Sequence, residues 1–369
     1  MSLPIKIHLV AGARPNLMKV APLFHALKKE SWCDVEIVAT GQHYSPELSE
    51  VFLKEFSLPS PDHQLEVGEG SSDEQLSKIV SKYQTILERT QPHLVIVVGD
   101  VTSTLAGCLA AKSKNILVSH VEAGLRSWDL SMPEERNRIA VDKVADLLFA
   151  PSRDGVENLI NEGRSPDCIF MVGNIMIDTY CLVKSRIDEF SQKNPNPFGS
   201  KKFALVTLHR PSNVDEKLRL KLVVESLMEA GEVVPLLFPV HPRTKKRLKE
   251  FHLWEKLSSR PEKIKLIPPL GYIEFMSYLG KGLCAITDSG GIQEETTYLN
   301  IACLTLRKNT ERPVTMSQGT NRLIEPENLV EALQSCLLHP VVKSEPPELW
   351  DGRTAERISS ILKNYFEAR

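Results

Sequence analysis

Two α/β domains, each built on a parallel β-sheet, are what this sequence predicts, and three observations carry the prediction. The chain has 369 residues, too many for one compact core and enough for two at roughly 100–200 residues per domain. Short apolar runs bounded by Gly, Pro or charged residues recur along it, with stretches of helical periodicity between them, the mark of alternating βα units. Those runs are apolar throughout rather than alternating, as strands are when a parallel sheet is covered on both faces.

The first run, Ile5–Val10, leads into Gly12-Ala13-Arg14-Pro15-Asn16. After it Leu17, Val20, Phe24 and Leu27 keep to one side of a helix that ends in Lys28-Lys29. Strands are expected next at Leu94–Val98 and Ile116–Ser119, and in the second half at Ala204–Leu208, Leu236–Val240, Ile264–Ile267 and Leu283–Thr287. Between the halves, Ile187–Lys202 is polar and turn-rich, with Asn194-Pro195-Asn196-Pro197 and Gly199. The crossing between domains is expected slightly earlier, after Val172-Gly173-Asn174. That gives a first domain over residues 1–174 and a second over 175–354, with a C-terminal helix over 355–369 returning to the first.

Composition narrows the partners. Forty-five Lys and Arg stand against 47 Asp and Glu, without the basic excess of a nucleic-acid or anionic-membrane binder, so the expected partner is a small molecule. The seven cysteines are scattered, with no Cys-x-x-Cys pair, which suits buried thiols in a reducing compartment. No apolar stretch approaches the ~18–20 residues of a membrane span, and the N-terminal segment is too short and broken for a signal peptide. A cytoplasmic location is expected.

In open parallel sheets ligands bind beyond the carboxyl ends of the strands, and those ends are chemically rich here. In order they carry Arg14 and Lys19, Asp100, His120 and Glu122, His209 and Arg210, His241 and Arg243, then Asp288-Ser289-Gly290-Gly291. Thr287 to Glu295 reads as strand end, Ser-Gly-Gly turn and helix; the glycines admit a ligand close to backbone, and a helix N-terminus suits a diphosphate. Taken alone, it reads equally as a capped helix with a tight turn. Arg14 and Lys19 place two cations at the mouth of the first strand, and Arg312 in Thr310-Glu311-Arg312-Pro313 offers a third. Asp100, Glu122, Glu134 and Glu135 bring carboxylates toward one sheet edge, where crowding can set one as acid and another as base. Pro133-Glu134-Glu135 is also how an ordinary helix begins.

Gly-x-Gly-x-x-Gly after a strand, a Walker loop, His-Glu-x-x-His and Asp-x-Asp are all missing, so neither NAD nor a metal cofactor is expected. These motifs, in this order, resemble those of the non-hydrolysing UDP-N-acetylglucosamine 2-epimerases over nearly the whole chain. The resemblance rests on Gly12-Ala13-Arg14-Pro15, Thr40-Gly41-Gln42-His43, Gly99-Asp100, His120 to Arg126, Pro133-Glu134-Glu135, Val172-Gly173-Asn174, His209-Arg210, Asp288 to Glu295 and Glu311-Arg312-Pro313.

The resemblance implies two Rossmann-like domains in a GT-B-like architecture, the active site in the interdomain cleft, and a homodimer. It implies Asp100, Glu122 and Glu134 as acid–base carboxylates and His209 as a catalytic or substrate-contacting group. Arg14, Lys19, Ser289, Gly290, Gly291, Glu295 and Arg312 match positions that hold diphosphate and ribose, and Phe275 one that contacts uracil. Gln42, Arg210 and His241 fall where some bacterial relatives bind a second, activating nucleotide sugar. Ala13 and Asn16 depart from the family's common Thr and Glu, Leu208 from its Gly, and Pro211 is a further departure; these bear on substrate identity more than on reaction type. The implied reaction is reversible inversion at sugar carbon 2 by loss and return of UDP through a glycal. A hydrolysing 2-epimerase releasing N-acetylmannosamine and UDP is the nearest rival, and a non-catalytic nucleotide-sugar sensor is the reading outside enzymes.

Overall fold

The computed structural model describes residues 4–12, 14–41, 52–68 and 70–368, with the backbone alone at Arg14 and Pro15. Two compact units divide the chain: Met1–Leu182 together with Glu348–Arg369, and Val183–Pro347.

In the first unit, β1 (Ile5–Ala11), β2 (Cys33–Ala39), β3 (His63–Gln64), β4 (Leu94–Val98), β5 (Leu117–Val121), β6 (Leu147–Ala150) and β7 (Ile169–Met171) form one sheet in the order β3-β2-β1-β4-β5-β6-β7. Every pairing is parallel. β4, Leu-Val-Ile-Val-Val, is buried along its whole length, as its unbroken apolar run requires. The helix Ser72–Thr90 shows how sequence sets an element locally. Ser71 caps it in a capping box with Glu74, Gln91 ends it in the left-handed region, and Gln75, Ile79, Tyr83 and Leu87, four apart, are its buried residues. Ile79, Tyr83 and Leu87 join Val10, Val38, Val95 and Val97 in one core; each such side chain contributes about 1.5–3 kcal/mol by leaving water.

The second unit repeats the plan with β8 (Ala204–Thr207), β9 (Leu236–Pro239), β10 (Ile264–Ile267), β11 (Cys284–Thr287), β12 (Ala302–Thr305) and β13 (Asn321–Leu323) in the order β10-β9-β8-β11-β12-β13, again all parallel. Val206, Leu220, Val224, Leu227, Phe238 and Ile286 lie in its core. In each sheet the strand order reverses beside the first strand of the unit, β1 and β4 in one and β8 and β11 in the other. That reversal is the crevice where doubly wound sheets take ligands.

The first unit runs on past the expected boundary at Asn174. Asn174 Oδ1 accepts from Met176 N at 2.9 Å to start the helix Ile175–Lys193. Its opening turns are fastened to the first unit: Thr179 Oγ1 donates to Met18 O at 2.7 Å, and the Asp178 carboxylate accepts from Thr354 N at 3.1 Å and Ala355 N at 2.7 Å. Asp178 thereby receives the N-terminal N–H groups of the C-terminal helix Thr354–Glu367. Trp350 also ties this segment down, its Nε1 donating to Pro151 O at 3.0 Å. All seven cysteines are free thiols. Among the described residues no helix is long and apolar enough to cross a membrane.

Candidate active site

The site residues of the first unit gather at the carboxyl ends of β1, β4 and β5. Gly12 follows β1, where a Cβ would stand 2.4 Å from Ser103 Cβ, so only glycine fits. In the helix Arg14–Leu27, Asn16 Nδ2 donates to Val98 O at 2.8 Å, fixing the helix start to the end of β4. Lys19, one turn on, forms an ion pair with Glu122 Oε2, and the second oxygen, Oε1, is buried without a hydrogen-bond partner among the described residues. Glu122 has φ +71°, a left-handed conformation that costs a non-glycine residue about 1–2 kcal/mol. Gly99, at φ +67°, supplies the room: a Cβ there would be 2.9 Å from Lys19 Nζ and 3.4 Å from Glu122 Oε2.

Asp100 is positioned from the next helix, Pro133–Val144. Asn137 Nδ2 donates to Asp100 O at 2.9 Å, and Arg138 Nη2 donates to Asp100 Oδ2. Arg138 is itself gripped by Glu135 Oε2 at 2.5 Å, while Glu135 Oε1 accepts from Ser127 N and Trp128 N, each at 2.9 Å. Glu135 is wholly buried and its bonds are filled, so it belongs to the frame. Glu134, in the first turn of that helix, is half-buried.

His120 lies inside β5, not beyond it. Its ring reaches Asp142 Oδ1 at 2.6 Å and Gly99 O at 2.8 Å, both of them acceptors, and it is fully buried. Burial alone would raise the Asp142 pKa; His120, then Arg126 and the Gly124 N–H, more than offset it and hold the carboxyl below its ordinary value. Through Gly99 O this network fixes the turn that carries Asp100. Asp142 gave no sign in the sequence, because its importance comes from pairing across 22 residues.

In the second unit the counterpart is Asp288, fully buried after β11. Its carboxylate accepts from His209 N at 3.1 Å, Arg210 N at 3.0 Å and Asn213 Nδ2 at 3.2 Å, so it shapes the turn after β8 rather than facing a ligand. The His209 side chain is 38% exposed with Nδ1 3.4 Å from Asp288 Oδ1, and its ring lies 5.4 Å from that of His241. Burial lowers the His209 pKa; Asp288 opposes, and Arg210 and Arg243 add to the lowering. His241 caps the helix Pro242–Glu250, Nδ1 accepting from Arg243 N at 3.2 Å.

Ser289 stands at the N-cap of the helix Gly290–Leu299, yet its side chain makes no capping bond, so it does not satisfy the helix's first N–H groups. Arg312 lies over this helix end: a Cβ at Gly290 would be 2.5 Å from Arg312 Nη1 and 2.7 Å from Glu311 Oε1. Glu294 Oε1, 2.7 Å from Arg312 Nε, and Glu311 hold the guanidinium there, and Glu311 Oε2 also meets Arg307 at 2.8 Å. A cation and a helix N-terminus thus share one spot, an arrangement suited to a diphosphate. Further along the helix Glu295 is buried, and burial pushes its carboxyl up to about 8. Phe275 is half-buried on the helix Tyr272–Leu279. Gly291 is the second residue of the helix that Gly290 opens. The Arg14 side chain and Gln42 lie outside the described residues.

The family model for UDP-N-acetylglucosamine 2-epimerase matches residues 25–363. The UDP-N-acetylglucosamine 2-epimerase of Methanocaldococcus jannaschii is 41% identical over 366 residues, covering 97% of this chain and 99% of that protein. The UDP-2,3-diacetamido-2,3-dideoxy-D-glucuronate 2-epimerase of Pseudomonas aeruginosa is 34% identical over 366 residues, covering 97% and 99%. The crystal structure of the M. jannaschii enzyme in complex with UDP-GlcNAc and UDP matches with a TM-score of 0.90 at 39% identity, covering 98% of this chain and 100% of that one. The paired parallel-sheet domains are of the same GT-B-like kind.

Proposed function

Because the chain belongs to the UDP-N-acetylglucosamine 2-epimerase family, we propose that it interconverts UDP-N-acetylglucosamine and UDP-N-acetylmannosamine without hydrolysis. Carbon 2 of an N-acetylhexosamine has no acidifying carbonyl beside it, so direct proton exchange faces a very high barrier. Breaking the bond from carbon 1 to the diphosphate oxygen removes that obstacle. A base takes the proton from carbon 2, the electron pair becomes the carbon 1–carbon 2 double bond, and UDP departs with the bonding electrons. Re-addition of UDP at carbon 1, with a proton delivered to the opposite face of carbon 2, gives the epimer.

The observation that carries this reading is the Glu122 carboxylate, buried, paired with Lys19 through one oxygen and, among the described residues, unbonded at the other. Such a group is held in place for proton transfer while its second oxygen stays available. Asp100, fixed by Arg138, and Glu134 complete the acid–base set, and His209 contacts the substrate from the second unit. Ser289, the Gly290-Gly291 helix end and Arg312, with Arg14 and Lys19, stabilise the leaving diphosphate; Glu295 receives the ribose hydroxyls, and Phe275 lies against the uracil. The same reading gives a homodimer and a second nucleotide-sugar pocket involving Gln42, Arg210 and His241, which sedimentation and a sigmoidal dependence of rate on substrate test.

Proton NMR of the protein with UDP-N-acetylglucosamine in deuterated water tests the reaction. Deuterium entering carbon 2 of both UDP-sugars supports it; accumulation of free N-acetylmannosamine would replace it with the hydrolysing reaction. The 34% identity to the diacetamido-glucuronate 2-epimerase favours a second reading, the same chemistry on a 2,3-diacetamido uronic acid, and supplying that UDP-sugar in parallel decides between the two.

A further inference from the structure

We propose that His8, Glu36 and His63 form a binding site for a divalent transition-metal ion of the zinc type, at the β3 edge of the first sheet and apart from the residues assigned to the reaction. The sheet register brings the three together. His8 on β1 pairs with Glu36 on β2, and Val38, two residues on and on the same face, pairs with His63 on β3. One ligand atom from each lies within 4.8 Å of the others. Glu36 Oε2 is 3.1 Å from His8 Nε2 and 2.8 Å from His63 Nε2. An ion bound tetrahedrally at ~2.0–2.1 Å holds its ligand atoms roughly 3.3 Å apart, so both separations to Glu36 lie within about half an ångström of that spacing, and binding asks the two histidines to settle to it between themselves, from a separation of at most 4.8 Å.

The donor set, two imidazoles and one carboxylate, suits zinc, cobalt or nickel rather than calcium or magnesium. His8 has the outer partner that metal-bound histidines use to fix their ring: its Nδ1 is 3.1 Å from the hydroxyl of Tyr83, a wholly buried residue of the helix Ser72–Thr90. The His63 and Glu36 side chains are 12% and 20% exposed, which leaves one side open for entry and for water as a fourth ligand. Lys6 opposes the ion, with Nζ 3.7 Å from Glu36 Oε1, but its side chain is a third exposed and can turn into solvent. A bound ion would fasten β3, a two-residue edge strand, to both β2 and β1.

Titration of the metal-free full-length protein with cobalt(II) tests the site by the visible ligand-field bands of low-coordinate cobalt. One cobalt per chain is expected, displaced by zinc, with affinity reduced at least about 100-fold in Glu36→Gln and His63→Ala, as for loss of a ligand rather than a supporting group. Lys6→Met, which removes only the competing charge, should bind more tightly. Zinc should raise the unfolding midpoint of the wild type and not of His63→Ala. Absence of the bands, or bands that survive both ligand substitutions unchanged and so arise from thiols or the surface, would overturn the proposal; circular dichroism confirms that the variants are folded.

Discussion

Lys19 Nζ is held against Glu122 Oε2 over Gly99, a position where a Cβ would come within 2.9 Å of the ammonium. The pair depends on backbone as much as on charge, since Glu122 and Gly99 both have positive φ. Replacing Glu122 by Gln keeps the shape and removes the ionisable oxygen. Turnover should fall by about 10²–10⁴, the range for loss of general acid–base catalysis, while UDP affinity stays close to that of the wild type. Steady-state kinetics and calorimetric UDP binding check this, and a variant within tenfold of wild-type turnover would remove Glu122 from the mechanism.

Gly99→Ala approaches the same pair from the backbone. Its φ of +67° costs alanine about 1–2 kcal/mol, and the added carbon drives Lys19 away from Glu122. Turnover should drop by a margin comparable to that of Glu122→Gln, with a modest loss in urea-unfolding free energy. Loss of stability with kinetics intact would mean that the Lys19–Glu122 geometry is structural only.

Much of this arrangement was legible in the chain. β1, β4, β5 and β8 to β11 were visible as mainly apolar runs, even with Lys6 and His8 in β1, Ser119 and His120 in β5 and Lys265 in β10, whereas β2, Cys-Asp-Val-Glu-Ile-Val-Ala, was hidden by the charges at Asp34 and Glu36, and β3 and β13 are too short to show a period. The motif residues stood out by type, but type did not tell ligand-facing groups from framing ones. Glu134 and Glu135 are neighbours of identical chemistry, and only packing turns Glu135 inward onto Arg138 and the backbone of Ser127 and Trp128. Asp288 looked like part of a phosphate loop and instead organises His209 and Arg210. The role of Asp288 depends on partners 75 or more residues away, which no local pattern records.

Gly290→Ala separates binding from chemistry. Its methyl group would collide with Arg312 and Glu311, moving the guanidinium off the helix end, although alanine is otherwise well suited to a first helical turn. The UDP dissociation constant should rise at least tenfold, about 1.4 kcal/mol, with little change in thermal stability. Unchanged UDP binding would place the diphosphate elsewhere.

Glu295 would couple the proposed nucleotide site to pH. Burial raises its carboxyl to about 8 from an ordinary 4.5; Tyr272 opposes this and Glu294 adds to it. Below about 8 the unliganded folded chain therefore keeps a proton that the unfolded chain releases above about 4.5. Between those values the folded state binds more protons, so the Glu295 contribution to stability is fully present in acid and is lost as pH rises through the window, by an amount on the order of a few kcal/mol. Glu295→Gln should flatten that decline. Ribose hydroxyls donating to the carboxylate would favour its ionised form, so UDP binding should expel a proton near neutrality and tighten as pH rises, opposite in sign to the stability trend. Calorimetry in two buffers of different ionisation enthalpy measures the released proton directly. Its absence in the wild type, or its persistence in Glu295→Gln, would show that the ribose does not meet this carboxylate.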